Sequence, residues 1–590
     1  MNLGIDFGTT NSSVARYDGA ELFRLQLDAG NDNPHVLPSL IYIDRDQRAR
    51  VGTDAANEYL ARETGRKVSW ERRAVGEIDF YGAEMHYVQD VHVLMDTNAN
   101  GRLLQYVKTA LRDPLYDGTQ IFDRYYTVDE LIAIILRHLK TRAQDFFQTD
   151  CRHVVLGRPV KYSDDHAITA RAEEIMFQAA RLAGFDDVRF ELEPVGAAYE
   201  FHRAARKRQR ALIFDFGGGT LDFTVAELGG KTDPKILATH GVLVGGDDLD
   251  RRMMQTLSKY FGGRAANGAP PLPAYLLDLL DNWQTMPALS RPPLSKNIED
   301  FRALGVDPTG IAALKTLVAR NVGFKLFREI EQTKKRLSES DLEQLDFEFE
   351  NIAIHKLIMR EYFERLIQRE IEAVERGVRE TLVLAATRAE KIDIVLRTGG
   401  TSAVPVFTTL LANIFGDGKL AQMDLLTSVV GGLAVVAFEG GGKKFRDAAR
   451  YDAEKIIAGA LPYAARIGAQ LYRDAAYTIA RLPAQFSGLP AIQTAQADKR
   501  ATENEFIELE LLRRARVFIA YDANAKAIPH WLRAFTPEKL AFLVDERGTE
   551  RALNVYGKDF DAGRVVLGGN YADGARGNIF LNYAVIVRAL

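Results

Sequence analysis

At 590 residues the chain is too long for one hydrophobic core, and roughly two to four domains are expected. Hydrophobic residues make up 47% and charged residues 26%, the balance of an ordinary soluble globular protein, and a net charge of -4 gives no reason to expect nucleic acid as a partner. A single cysteine, Cys151, excludes an intramolecular disulfide, and without a Cys-x-x-Cys pair a structural zinc site is not expected.

No basic segment leading into an apolar core opens the chain, so no signal peptide is expected. The run from Val429 to Phe438 falls short of the roughly 18 residues of a membrane span and reads as a buried helix. The expectation is a cytoplasmic protein with no membrane partner.

In chain order, Leu3-Gly4-Ile5-Asp6-Phe7 reads as an apolar strand, Gly8-Thr9-Thr10-Asn11 as a turn of small residues, and Ser13 to Tyr17 as a second strand. Leu40 to Ile43 is a further strand. Residues 52–110 are mixed and end in Leu103 to Leu111, a short helix or an extended segment. Val128, Leu131, Ile132, Ile135 and Leu136 then recur at helical spacing, which predicts a helix to about Phe147. A buried strand at Val154 to Gly157 and a helix from Ser163 to Gly184 follow, so this part is an α/β layered domain. Glu193-Pro194 opens another helix. It ends in Arg203, Arg206, Lys207, Arg208 and Arg210, a solvated helix end.

At Leu212 the opening pattern returns. Leu212 to Phe216 is a strand containing Asp215, Gly217-Gly218-Gly219-Thr220 is the turn, and Leu221 to Val225 is the return strand. Val242-Leu243-Val244 leads into Gly245-Gly246 and the acidic helix start at Asp247. Residues 262–300, rich in proline, read as an irregular insertion. Beyond it lie a helix from about Gly310 through Ser338, a strand at Leu345 to Phe349, and a helix from about Lys356 to Ala389. A buried strand at Ile392 to Leu396 ends in Thr398-Gly399-Gly400-Thr401. Residues 441–465 read as a linker and helix. Residues 466–590 read as a small all-β, sandwich-like domain built on Ile507 to Leu511, Val517 to Tyr521, Val565 to Gly568 and Ile579 to Val587.

The doubled hairpin carries the chemistry. A turn of glycines and small residues lets several backbone N–H groups face one concavity, which stabilises anionic oxygens without a side-chain cation. Gly8, Thr9 and Thr10 form one such turn, and Gly217, Gly218, Gly219 and Thr220 the other. Asp6 and Asp215 sit just before the turns, and carboxylates beside a phosphate require a cation between them. One hairpin alone reads as an ordinary glycine turn. Two in one frame, with Gly245-Gly246 and Gly399-Gly400 after further strands, read as a two-sided cradle for a nucleotide triphosphate. No P-loop or dinucleotide fingerprint is present.

At these residues the chain resembles the actin-like ATPase superfamily, and within it the nucleotide-binding domain of the seventy-kilodalton heat-shock chaperone family, over about residues 1–440. The resemblance implies two α/β lobes closing over ATP or ADP and Mg²⁺: lobe I at about 1–206, lobe II at about 207–398, and a return to lobe I at about 399–440. It implies that Asp6 and Asp215 hold the metal through water. Lys108 resembles the family's catalytic lysine, and Glu193 in Leu192-Glu193-Pro194 its glutamate near the metal water. Gly245, Gly246, Gly399 and Gly400 would contact the nucleotide. Glu331, Lys334, Lys335 and Ser338 resemble the helix that holds the adenosine, with Glu331, Lys334 or Lys335, and Ser338 on one face. Lys335, Ala403 and Leu426 stand where the family has an arginine, an arginine and an aspartate, which puts adenine selectivity in question. The insertion resembles that of a divergent bacterial branch without the usual peptide-binding domain.

The β-region faintly resembles C-terminal modules of glycan-acting proteins. Trp531, Phe535 and Tyr556 are weighed as a binding surface against core packing, and packing is the favoured reading. The reading of the whole is an ATP-binding, slowly hydrolysing, chaperone-like protein. Its lobe closure would be read by the β-domain or by a protein client or partner. A small-molecule kinase, a non-catalytic nucleotide-sensing scaffold and a polymerising filament are the alternatives.

Overall fold

Each of the two hairpins opens a mixed sheet, and the two sheets have the same strand order. In the first the order is Asp187–Leu192, His153–Arg158, Asn2–Phe7, Asn11–Tyr17, Leu22–Arg24. In the second it is Leu420–Gln422, Ile394–Thr398, Gln209–Phe216, Leu221–Leu228, Lys235–Val242. In both, the leading strand pairs antiparallel with its hairpin partner and parallel with a strand from much later in the chain. The computed structural model describes residues 1–590 apart from 82–85, 231, 266–267, 269, 445–456, 459–462, 466–468, 473, 484–485, 487–488, 547–548, 578 and 590. The chain divides into two compact units, Met1–Phe445 and Arg446–Leu590.

The first lobe is layered as its periodicity predicts. Helix Val128–Phe147 begins on a capping box in which the Thr127 amide donates to Glu130 Oε2 at 3.1 Å. It and helix His166–Leu182 bury Leu131, Ile135, Leu139, Met176 and Ala180 in one core with Leu3, Ile5 and Leu156. Two further helices, Glu193–Ala204 and Ser428–Phe438, share an apolar cluster with residues of both sheets, including Val155, Ala197, Ile213, Leu396 and Leu433. Their backbones approach so closely that a Cβ on Gly432 would collide with the Gly196 carbonyl. Ser428–Phe438 is apolar on all sides because it is buried on all sides.

Several expected elements change. The helix expected from Gly310 to Ser338 is two helices, Pro308–Ala319 and Gly323–Leu337. Asn321 breaks it at φ 52°, and its side chain is held by Tyr59 and Glu63. The start of the helix expected at Lys356 is a strand, Ile352–Met359, paired antiparallel with Leu342–Phe349. Ile352, Ile354 and Ile358 are buried on one face, a period of two where helical spacing was read. Helices Arg360–Leu366 and Gln368–Leu384 follow. Leu103 and Leu104 end a strand, Gly101–Leu104, and Val107–Arg112 is a 3₁₀ turn. The mixed stretch contains a long hairpin, Trp70–Tyr81 with His86–Asp96. The expected insertion folds into short helical pieces whose Leu276, Leu280, Met286, Leu289 and Ile298 enter the core of the second lobe.

The start of the expected linker is fastened to the first sheet: Lys443–Lys444 pairs with Arg189 and Phe190. Most of the expected linker and helix at 441–465 lies outside the described residues; Ile457–Ala458 and Tyr463–Ala464 are short strands.

The second unit is β-rich. Its seven-stranded sheet centres on Ala584–Ala589, Ala515–Asp522 and Thr549–Phe560. Val517, Ile519 and Tyr521 face one apolar cluster, while Phe518 and Ala520 face another, so the strand is apolar without alternation. Leu509, Leu511, Val565 and Leu567 of a three-stranded sheet complete the first cluster. The expected strand start at Ile579 moves to Ala584, because Asp522 Oδ2 accepts the Phe580 and Leu581 amides and Gln496 Oε1 accepts that of Asn582. Phe535 is buried, and Trp531 and Tyr556 pack half-buried against that cluster. The indole N–H of Trp531 donates to the Gly569 carbonyl at 3.1 Å. These rings form core, not an open aromatic platform. Among the described residues no helix is long and apolar enough to cross a membrane.

Candidate functional site

The two turns close identically and face each other. In the first, the Gly8 amide donates to the Asn11 carbonyl at 3.0 Å; in the second, the Gly217 amide donates to the Thr220 carbonyl at 3.0 Å. A Cβ on Gly218 would collide with Thr10 Oγ1, and one on Gly219 would lie 2.6 Å from Thr9 Oγ1. A side chain at either position would have to displace a threonine hydroxyl of the opposite turn, which glycine avoids. The amides of Thr9, Thr10, Gly218 and Gly219 have no partner among the described residues. Thr10 Oγ1 is buried without a hydrogen bond. These free donors suit an anion.

Behind the turns lies a buried charged group. Lys108 Nζ donates to Glu193 Oε1 at 2.6 Å, and both side chains are buried. Lys108 comes from the 3₁₀ turn Val107–Arg112, and Glu193 from the first turn of its helix. Gly157 lies beside Glu193 and Asp6: a Cβ there would lie 3.1 Å from Glu193 Cγ and 3.7 Å from Asp6 Oδ1. Burial and the charge of Glu193 push Asp6 up to about 7. Burial, with Glu193, Asp222 and Asp6 nearby, raises Asp215 well above the carboxylate range. Asp222, cross-strand from Asp215, is likewise pushed up to about 7 by burial and Glu193. Burial alone would lower the Lys108 ammonium, but Glu193 and Asp6 hold it above its ordinary value. Carboxylates outnumber cations here, so the cluster is short of positive charge.

The remaining candidates fall into two groups. Gly245 and Gly246 brace the second turn: the Gly246 amide donates to the Gly217 carbonyl at 3.1 Å and the Asp247 amide to the Gly218 carbonyl at 2.9 Å. Gly399, at φ 79°, packs on the Phe216 backbone, and Gly400 faces Leu426. Lys334 is turned inward, 2.8 Å from Asp250 and 3.2 Å from the Gly246 carbonyl. Lys335 is half exposed and pairs with Glu331 at 2.9 Å. Ser338 Oγ bonds the Lys334 carbonyl at 3.4 Å. Of the two lysines, the structure brings Lys334 to the cradle.

Sequence reasoning passed over two residues. Arg112 Nη2, from the first lobe, donates to the Gly219 carbonyl at 2.7 Å, and Thr401 Oγ1 donates to the Gly217 carbonyl at 2.9 Å. Arg112 lies four positions after Lys108 in a turn whose 3₁₀ geometry the sequence left open.

The family model for Hsp70 protein matches residues 2–267 and 316–449, more than half of the chain. The chain belongs to the Hsp70 family. This Hsp70-family chain is 24% identical over 420 residues to heat shock 70 kDa protein 6, chloroplastic, of Arabidopsis thaliana, covering 70% of the chain and 49% of the relative. It is 23% identical over 439 residues to the stromal 70 kDa heat shock-related protein of Pisum sativum, covering 74% and 52%. It is 22% identical over 438 residues to the chaperone protein DnaK of Thermosipho melanesiensis, covering 74% and 58%. The chain thus spans about half the length of the curated relatives it matches. The fold is the family's actin-like ATPase domain followed by a β-rich region. Residues 268–315 of the Hsp70-family chain fall between the matched segments.

Proposed function

We propose that the chain binds Mg·ATP between its two hairpin turns and hydrolyses it slowly, as a chaperone-like ATPase whose lobe closure signals nucleotide state. The observation that carries this is the meeting of two identical turns, each with unpartnered donors, over a buried carboxylate cluster. Among the described residues no three His, Cys, Asp or Glu side chains are set to ligate a metal directly. Asp6 and Asp215 fit a cation held through water, and their raised pKa values mark the charge it would neutralise. When bound, Mg²⁺ supplies that neutralisation to the carboxylates and to phosphate oxygens.

The chain's own residues do the rest. The free amides and Thr9, Thr10 and Thr220 bind and orient the phosphates. Lys108 presents its ammonium to the terminal phosphate, and Glu193 fixes that ammonium and orders the attacking water. Lys334, Glu331 and Ser338 line the adenosine side, with Gly399 and Gly400 at the base. Lys335 and Leu426 supply no stacking guanidinium or base-binding carboxylate, which predicts weak discrimination between adenine and guanine. The client is a protein, and the location cytoplasmic, in line with the reading from sequence.

Titration calorimetry tests the reading. Mg·ATP is expected to bind, and Asp215→Ala to weaken it at least tenfold; equal affinity of the variant would overturn the clamp. Tight binding without turnover would favour the nucleotide-sensing scaffold, for which the departures at Lys335, Ala403 and Leu426 speak.

A further inference from the structure

The insertion does more than thicken the second lobe. Four of its residues reach across to the first. The indole N–H of Trp283 donates to Gln105 Oε1 at 2.8 Å, and Gln284 Nε2 donates to the Gln105 carbonyl at 2.9 Å. Further along, Trp70 Nε1 donates to Ser290 Oγ at 2.7 Å, and the Arg291 guanidinium lies 4.1 Å over the Trp70 ring. Trp283 is only 5% exposed. Its ring packs against Tyr59 of the first lobe at 5.8 Å and Phe324 of the second at 5.0 Å.

Gln105 immediately precedes the segment that carries two of the site's cations, Lys108 and Arg112. Tyr106 stands at φ 60°, its carbonyl accepts the Thr109 amide at 2.8 Å, and Val107–Arg112 turns from there. Lys108 in that turn reaches Glu193 in its own lobe, and Arg112 reaches the Gly219 carbonyl in the other. The family match skips 268–315, so the family pattern does not account for this contact.

We propose that the insertion is a strap that fixes the Lys108 turn and slows nucleotide release, with Trp283 and Gln105 as its positioning residues. The slowed release rests on the nucleotide site proposed above; the fixing of the turn does not. Separating the lobes must expose the Trp283 and Tyr59 rings and break both bonds to Gln105. Arg112 then loses the Gly219 carbonyl as well, so the turn keeps only the Lys108 bond to Glu193 and the packing of Val107 and Leu111 in its own lobe, and its geometry depends on closure.

Hydrogen exchange on the full chain without nucleotide tests the turn. Trp283→Phe keeps the ring and loses the donor, Gln105→Ala loses the acceptor, and Gln105→Glu keeps an acceptor. Amides 107–112 should exchange at least tenfold faster in the first two variants and near the native rate in the third. The double variant should go no further than either single one. Native exchange rates in Trp283→Phe and Gln105→Ala would overturn the strap. In a second arm, release of a fluorescent ATP analogue with Mg²⁺ should quicken about tenfold in the same two variants, and unchanged release would overturn the gating. If the native chain binds no Mg-nucleotide, the proposed function falls, while the exchange arm still decides whether the strap holds the turn.

Discussion

Lys108 and Glu193 are buried 2.6 Å apart, so each holds the other's charge. Removing one partner of such a pair leaves an uncompensated charge, at a cost of about 3–5 kcal/mol. Lys108→Ala should therefore lower the melting temperature, and adding Glu193→Gln should restore it. Neither change should restore hydrolysis: loss of a preorganised cation predicts a fall of about 100-fold in the single-turnover rate of Lys108→Ala. Calorimetric melting and single-turnover assays on the two variants check both expectations. Asp222 gives a pH signature. It is 1% exposed, accepts the Val160 amide at 2.8 Å, and is pushed up to about 7 by burial and Glu193. Between pH 4 and 7 the unfolded chain ionises this group and the folded chain does not. Its contribution to stability is therefore present below about pH 4 and falls as pH rises, by at most about 4 kcal/mol. Asp222→Asn should flatten that part of the melting profile of the nucleotide-free chain; equal slopes would remove the assignment. The two hairpin turns were legible residue by residue, because glycine and small residues after an apolar strand have few other uses. Arg112 was not, because a lone arginine in a turn reads as solvated until its partner is known.

At the scale of elements, the joint between the lobes is a pair of helices crossing through Gly196 and Gly432. A methyl group on Gly432 has no room, and overpacking of this kind costs about 1–3 kcal/mol or more. Gly432→Ala should lower stability by at least that amount in denaturant titration, while Gly416→Ala, with nothing within 4 Å but a φ of 93°, should cost less. Elements with a strong period were legible, such as Val128–Phe147 and the two hairpins. The misread ones were those where tertiary contacts choose. Ile352–Met359 becomes a strand because Leu342–Phe349 lies beside it. The helix from Pro308 stops at Ala319 because Tyr59 and Glu63 capture Asn321. Prolines made the insertion look irregular, yet its leucines and methionine find a core supplied by residues far away in sequence.

For the whole molecule, the division into Met1–Phe445 and Arg446–Leu590 predicts two calorimetric unfolding transitions. If Mg·ATP binds as proposed, only the transition of Met1–Phe445 should rise with it, by about 2.7 kcal/mol at a hundredfold excess over the dissociation constant. A single transition, or an equal rise in both, would show that the units do not unfold independently.

The sequence by itself determined the repeated hairpin, its two aspartates and its glycine turns, because strand alternation and the tightness of a turn are local properties. It thereby pointed to the family, which the match over residues 2–267 and 316–449 shows. Only the tertiary structure decided that the turns meet, that Lys334 faces inward while Lys335 pairs with Glu331, and that Trp283 and Arg112 bind one lobe to the other. Those facts depend on contacts between residues far apart in the chain, and no local pattern encodes a partner that only folding brings within 3 Å.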